Sequence, residues 1–267
     1  MSRGVTSAAP AETAQVEWLQ GQLAVNRFLP APPPPLMLCG DGDFRTIGAE
    51  FLGHFIHLAD LRSHERVLDL GCGVGRMAVP LTQYLSDQGS YVGLDVAADG
   101  IAWCRRAISP LYPQFRFEHI DLQHPLYNQG GVEDAASVRL PFPDAAFDFV
   151  CLVSVLTHLD TAALTNYAQE IARLLAPGGR CFATAFLMNA PARDALRRGD
   201  GRLPFDPDAP GPEFYADSAA PLAAVAFDED HFLEKFLRFG RWRLRPALYG
   251  HWSGRTGPVF QDISVFE

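Results

Sequence analysis

Residues 67–76, VLDLGCGVGR, join an apolar run that contains an acid to three glycines spaced G-x-G-x-G. Val67, Leu68 and Leu70 suit a buried strand, while Gly71, Gly73 and Gly75 lack the Cβ atoms that would keep a ligand off the backbone. Such a turn cradles a nucleotide-like ligand. Asp69 sets a carboxylate at the strand's C-terminal edge, where it can attract an ammonium group or bond the turn's own amides. Cys72, inside the turn, reads better as a compact hydrophobe between turn and sheet than as a nucleophile. Arg76 opens the helix expected next, whose orphan amides and partial positive charge face the site, and Pro80 is tolerable only in its first turn.

Two histidines stand where a general base could act, and histidine is the side chain whose ordinary pKa best suits that work. His158 follows an apolar run in SVLTHL, and His251 lies in GHWSGR. Residues 250–262, GHWSGRTGPVFQD, are rich in groups that recognise polar ligands: His251, Trp252, Ser253, Arg255, Gln261 and Asp262. A hairpin held by Arg255 and Asp262 explains the same residues equally well. His54, His57 and His64 read as surface or packing residues, and no His–carboxylate cluster has metal-ligand spacing, so no metal is expected.

These groups need a sheet to position them. Residues 91–96, YVGLDV, form a second apolar run reaching an acid, Asp95, twenty-six residues after Asp69. Residues 115–121, FRFEHID, form a third, and Asp121 lies twenty-six residues beyond Asp95. A fourth, residues 147–155, carries Ser154 and leads to Thr157 and His158; a helix closing on LLAPGGR leads into a fifth at 181–186. Strands alternating with helical segments imply βα units and a parallel sheet. A helix over 228–239, with Phe232, Phe236 and Leu237 inward, precedes two antiparallel strands at 242–249 and 261–266.

On the glycine turn, the acids ending the second and third strands, the LLAPGGR turn and the final antiparallel strands, the chain resembles the class I S-adenosylmethionine-dependent methyltransferases, over about residues 32–267. The resemblance implies a Rossmann-like α/β three-layer sandwich with a seven-stranded, mostly parallel sheet of order 3-2-1-4-5-7-6, the last strand antiparallel. It also implies S-adenosyl-L-methionine as cofactor and S-adenosyl-L-homocysteine as product. The cofactor-binding residues expected are Asp69, Gly71, Cys72, Gly73, Gly75, Arg76, Asp95, Val96, Asp121, Leu122 and Ser154. Among them Asp95 would hold the ribose hydroxyls, Asp121 the adenine amine, and Val96 and Leu122 the faces of the adenine ring. Phe44 and Arg45 are candidates to cover the cofactor's methionine end. His158 and His251 are the candidate catalytic bases.

Composition agrees with a single enzyme domain, since 48% hydrophobic content over 267 residues suffices for a sizeable core. With 31 acidic against 22 basic residues the net charge is -9, and no Lys/Arg run offers a phosphate-tracking stripe, so nucleic acid is not expected as substrate. No stretch spans a bilayer and the N-terminus lacks the apolar core of a secretory signal, which makes the cytoplasm the expected location. Nothing excludes a homo-oligomer. The five scattered cysteines, Cys39, Cys72, Cys104, Cys151 and Cys181, never form C-x-x-C and support neither structural zinc nor a disulfide framework.

Residues 1–38 read as an arm with a helical stripe of Val16, Leu19, Leu23 and Phe28, followed by the stiff spacer PAPPPP; residues 39–267 read as the methyltransferase domain. In the segment before the first strand, Asp43 or Thr46 caps a helix that carries Phe51, Leu52, Phe55, Ile56 and Ala59. Two insertions without clear periodicity, 123–142 and 187–227, are expected to form substrate lids. Tyr127, Asn128, Tyr215, Trp252 and Arg255 are the candidate substrate-binding residues.

The function expected is methyl transfer to a small organic or sugar-containing acceptor, at oxygen rather than nitrogen, by in-line displacement. Two other readings stand beside it. A nicotinamide-dependent oxidoreductase would more often show G-x-G-x-x-G, and here the sixth residue is Arg76. A catalytically silent, methyltransferase-like binding protein keeps the same motifs without turnover.

Overall fold

Apolar strands with β-branched and aromatic residues line up in the order of the expected βα units. The computed structural model of the chain describes residues 10–37, 42–240 and 242–267, so Cys39 and the start of the N-terminal arm lie outside the described residues. Six strands form one sheet in the order β3-β2-β1-β4-β5-β9. They are β1 (Arg66–Leu70), β2 (Ser90–Asp95), β3 (Phe115–His119), β4 (Phe147–Leu152), β5 (Leu175–Ala185) and β9 (Asp262–Phe266). The first five pair in parallel, and β9 runs antiparallel to β5.

Alternation along the strands splits the core into two layers. Val67, Tyr91, Phe115, Phe117, Phe149 and Phe182 face one way, where Leu52, Phe55 and Ala59 of α2 (Phe44–Ala59) and Ile101 and Cys104 of α4 (Ala98–Ala107) cover them. Leu68, Leu70, Val92, Leu94, Val150 and Phe266 face the other way, toward α5 (Thr161–Leu174) and α7 (Glu229–Phe239). Asp43 caps α2, its carboxylate accepting from the amides of Arg45 and Thr46. α1 (Pro10–Val25) buries Leu23, but Phe28 is fully exposed beyond its end, so the helical stripe expected of the arm stops short of that residue.

The expected sixth strand, residues 242–249, does not form as a strand. The segment touches β9 through isolated antiparallel bridges, Leu244 to Phe266 and Leu248 to Ile263, whose register slips by one residue between them and so interrupts a continuous ladder. It nonetheless runs along the outer edge of β9, so the spatial order expected for seven strands survives with its edge member irregular. In α7, Phe232 and Phe236 point inward four residues apart, whereas Leu237 is exposed on the opposite side.

The stretch 187–227 is not an aperiodic loop. It contains β6 (Leu187–Met188), α6 (Ala190–Arg197) and β7 (Glu213–Tyr215), and with β8 (Val225–Asp228) it builds a small second sheet of order β6-β8-β7. Phe186, Met188, Phe205, Phe214 and Ala226 pack there around Trp252 as a satellite core. Among the described residues, no helix is long and apolar enough to cross a membrane.

Candidate active site

Gly71, Gly73 and Gly75 all take positive φ, of 79°, 52° and 74°, so the turn after β1 adopts a path that side chains disfavour. Each glycine has its own reason to lack a Cβ. At Gly71 a Cβ would fall 2.2 Å from Cγ2 of Val155, whereas at Gly73 it would meet nothing within 4 Å. The tip of the turn is thus open on its outer side, the space a ligand lying on backbone requires. The turn is tied to β2, with the amides of Gly71 and Cys72 donating to the Leu94 carbonyl at 2.7 and 3.2 Å.

Asp95 completes that tie. Its Oδ2 accepts from the Gly73 amide and its Oδ1 from the Ala97 amide, each at 2.7 Å. Burial raises the pKa of this carboxyl, and the amides of Ala97, Gly73 and Val96 oppose that rise by favouring the charged form. Both oxygens keep a second lone pair, so a carboxylate clamped by two amides still presents a fork to a pair of hydroxyls. Asp121, one strand further, is steadied by Asn128, whose side-chain amide donates to its Oδ1 at 2.9 Å and to the Leu122 carbonyl at 3.0 Å. Asn128, expected to bind substrate, has that amide committed to holding an acid in place. Leu122 is buried and Val96 partly buried against the same core layer.

Asp69 differs from expectation. It is fully buried and bonds no turn amide; the Tyr91 hydroxyl donates to its Oδ2 at 2.6 Å, and Oδ1 has no hydrogen-bonding partner. Desolvation pushes its pKa up to about 7, against the opposing hydrogen bonds from Tyr91 and Cys151. Cys72 is also buried, and burial drives its thiol pKa well upward, which leaves a neutral, unreactive group. The helix expected to open at Arg76 is a single turn, α3 (Ala78–Leu81), with Pro80 inside it. So short a helix carries little dipole to offer an anion. The Arg76 carbonyl instead meets α2, where a Cβ on Gly48 would fall 2.6 Å from it. Phe44, the first residue of α2, is buried in the core, and Arg45 donates to the Leu29 carbonyl at 3.4 Å.

β4 ends beside the glycine turn. Ser154 follows with φ 61°, a left-handed conformation rare for a residue with a Cβ, and its amide donates to Thr184 Oγ1 at 2.8 Å. Then comes the short helical turn Leu156–His158. His158 Nδ1 lies 3.0 Å from the Leu222 carbonyl, an acceptor only, so the proton sits on Nδ1 and Nε2 keeps its lone pair. The Tyr127 hydroxyl stands 3.4 Å from that Nε2, and the Tyr127 ring stacks on His124 with centroids 4.9 Å apart. Burial lowers the pKa of His158, the Leu222 carbonyl opposing it, and burial likewise lowers that of His124. His158 and Tyr127, expected separately as base and substrate contact, are therefore neighbours.

His251 sits apart, with its Nδ1 buried and without a hydrogen-bonding partner and its ring edge-on to Phe260. Trp252 and Arg255, expected to touch substrate, serve the scaffold. Trp252 is fully buried and donates to Asp262 Oδ2 at 2.7 Å; Arg255 pairs with Asp262 Oδ1 at 3.2 Å and lies over the Tyr249 ring. Tyr215 is partly exposed on β7, where its hydroxyl donates to Glu213. Asp262, with no exposed surface, has a pKa raised to about 6 by burial.

Thr184 and Gln261 join the site although the strand pattern did not single out the first nor assign the second a partner. Thr184 donates to Gln261 Oε1 at 2.5 Å, and Gln261 Nε2 donates to Ser154 Oγ at 2.9 Å. The available signal was one hydroxyl in the apolar run CFATAF.

Known proteins are similar to this chain in sequence and in fold. A family model described as a methyltransferase domain matches residues 67–179. An arsenite methyltransferase of Aquipseudomonas alcaligenes is 29% identical over 138 residues, which cover 51% of this chain and 36% of the relative. A fatty-acid O-methyltransferase of Mycolicibacterium smegmatis is 36% identical over 115 residues, covering 43% of this chain and 35% of the relative. The chain thus spans about a third of the length of these curated relatives. Among solved structures, the PH0226 protein from Pyrococcus horikoshii OT3 superposes with a TM-score of 0.57 at 16% identity, covering 88% of this chain and 95% of that one. That likeness establishes the shared fold.

Proposed function

We propose that this chain, which belongs to the class I S-adenosylmethionine-dependent methyltransferase family, moves a methyl group from S-adenosyl-L-methionine to a small organic or sugar-containing acceptor, at a hydroxyl oxygen. The observation that carries the reading is Asp95, clamped by the Gly73 and Ala97 amides beside the open face of Gly73. A fork of carboxylate oxygens next to bare backbone fits the ribose and methionine portions of such a cofactor. Asp121, held by Asn128, would take the adenine amine, with Val96 and Leu122 against the ring.

When bound, the cofactor would supply an electrophilic methyl group to an acceptor oxygen, the O–C bond forming in line as the C–S bond breaks and S-adenosyl-L-homocysteine leaves. The protein's part is to align the acceptor, exclude water and receive the acceptor's proton. His158 Nε2 is the atom suited to that proton, because the Leu222 carbonyl holds the other nitrogen in its N–H form. Residues 187–227, which include Leu222 and Tyr215, would close over the acceptor. A relative named as a fatty-acid O-methyltransferase supports oxygen as the target, and a net charge of -9 supports a small molecule over nucleic acid.

Calorimetric titration with S-adenosylmethionine, S-adenosylhomocysteine and NADH, on the wild type and on Asp95→Ala, tests the reading. Binding of the two sulfur ligands is expected, with affinity falling on the order of ten- to a hundredfold in the variant, as loss of charge-assisted hydrogen bonds implies. Binding of NADH alone would replace this function with an oxidoreductase.

A further inference from the structure

We propose that Gln261 is a positioning residue for the cofactor edge, acting through the left-handed backbone of Ser154; the inference rests on the cofactor reading above. Three residues with positive φ other than glycine occur among the described residues, Asp60, Ala145 and Ser154. Asp60 closes helix α2, an ordinary use of that conformation, whereas Ser154 stands at the C-terminal end of β4, where ligands meet an open α/β sheet. Backbone strain of this kind persists only where the surroundings impose it.

The imposing structure is a closed ring of hydrogen bonds from three strand ends. The Ser154 amide donates to Thr184 Oγ1 at 2.8 Å, Thr184 donates its single proton to Gln261 Oε1 at 2.5 Å, and Gln261 Nε2 donates to Ser154 Oγ at 2.9 Å. With the Ser154 amide on one lone pair of Thr184, the threonine proton goes to Gln261 Oε1 and the amide nitrogen of Gln261 faces Ser154, so every hydroxyl and amide in the ring has a partner. Ser154 is thereby gripped at its backbone and at its side chain.

The consequence reaches the glycine turn through the next residue. Val155 Cγ2 occupies the space where a Cβ on Gly71 would be, 2.2 Å away, so the path of residue 154 decides whether Val155 supports the turn. Without the ring, residue 154 is free to relax to negative φ, and Val155 withdraws from beneath Gly71. Gln261 also ends the segment 250–261, whose Gly250 backs directly onto the backbone of Phe260 and Gln261, so the backbone that carries this side chain is itself held in place.

The test is calorimetric affinity for S-adenosylhomocysteine in the wild type, Gln261→Met and Gln261→Glu, with thermal melting of each. The methionine keeps the volume and removes both hydrogen bonds; the glutamate can accept from both Thr184 and Ser154 hydroxyls and so keeps the ring closed. We expect Gln261→Met to bind about tenfold more weakly and Gln261→Glu to remain within about threefold of the wild type, with all three melting cooperatively. Gln261→Met binding as tightly as the wild type would overturn the inference. So would equal weakening in both variants, which is what a general disturbance of the β9 end produces. A Thr184→Val variant offers the same reading should Gln261→Met fail to fold, because it breaks the ring at the Ser154 amide. Failure of the wild type to bind S-adenosylhomocysteine at all would instead remove the cofactor reading itself.

Discussion

The Tyr91 hydroxyl donates to Asp69 Oδ2 at 2.6 Å in the interior beneath the glycine turn, and Asp69 has no exposed surface. Burial holds the Asp69 pKa at about 7, far above its ordinary 3.8. The folded protein therefore keeps a proton there that the unfolded chain releases, between those two values. Its contribution to stability is full below the unfolded pKa and is lost as pH rises through about 7. At about 1.4 kcal/mol per unit the loss is on the order of a few kcal/mol. Urea unfolding at pH 5 and pH 8 should show the wild type weaker at the higher pH, and Asp69→Asn, which cannot ionise, should flatten most of that difference.

Gly71→Ala should be among the most damaging single changes. It adds a side chain at φ 79° and places its Cβ 2.2 Å from Val155 Cγ2. Left-handed strain and overpacking together cost about 2–5 kcal/mol. Adding Val155→Ala relieves only the overpacking part, so denaturant midpoints should recover partially in the double variant. Full recovery would mean the turn tolerates the strain.

His158 gives turnover a pH signature once an acceptor is found. Burial lowers its pKa from 6.5, so the Nε2 lone pair is available at neutral pH and is lost only on acidification. The acid limb of kcat/KM should have its midpoint below 6.5 and disappear in His158→Ala, with turnover falling about 10²- to 10⁴-fold. Tyr127→Phe, which removes the hydroxyl 3.4 Å from Nε2, should shift the limb while retaining it. Unchanged turnover in both His158→Ala and His251→Ala would remove the general-base role.

Arg255 and Asp262 make a different prediction. Asp262 is fully buried, and its partners are the Gly250 and Leu187 amides, Trp252 and Arg255. Removing the guanidinium by Arg255→Ala leaves the carboxylate without its counter-charge, which destabilises by up to about 3–5 kcal/mol, the range for a fully buried pair, less what the three remaining donors retain. The group's pKa of about 6 means the cost should be larger at pH 8 than at pH 5. Affinity for S-adenosylhomocysteine should stay unchanged, because these residues hold the satellite core around Trp252; a drop in affinity without a drop in melting temperature would reassign Arg255 to the site.

The sequence by itself determined the apolar strand runs, the glycine turn and the two acids that follow it. Each of these is carried by short-range information, a run of apolar residues with its terminal acid or a glycine where no Cβ is allowed, and such patterns read the same in any context. Tertiary structure alone decided the partners. Nothing local sets Asp69 against Tyr91, Asn128 against Asp121, His158 against the Leu222 carbonyl or Gln261 against Ser154 and Thr184. Polar-rich residues such as Trp252 and Arg255 suggest a ligand site in one dimension, yet in three their groups satisfy a buried aspartate, since a buried charge must find its partners inside the fold. The edge segment shows the converse: its bridges to β9 slip by one residue between Leu244–Phe266 and Leu248–Ile263, a break that no residue pattern announced, while the packing still holds residues 242–249 in place beside β9.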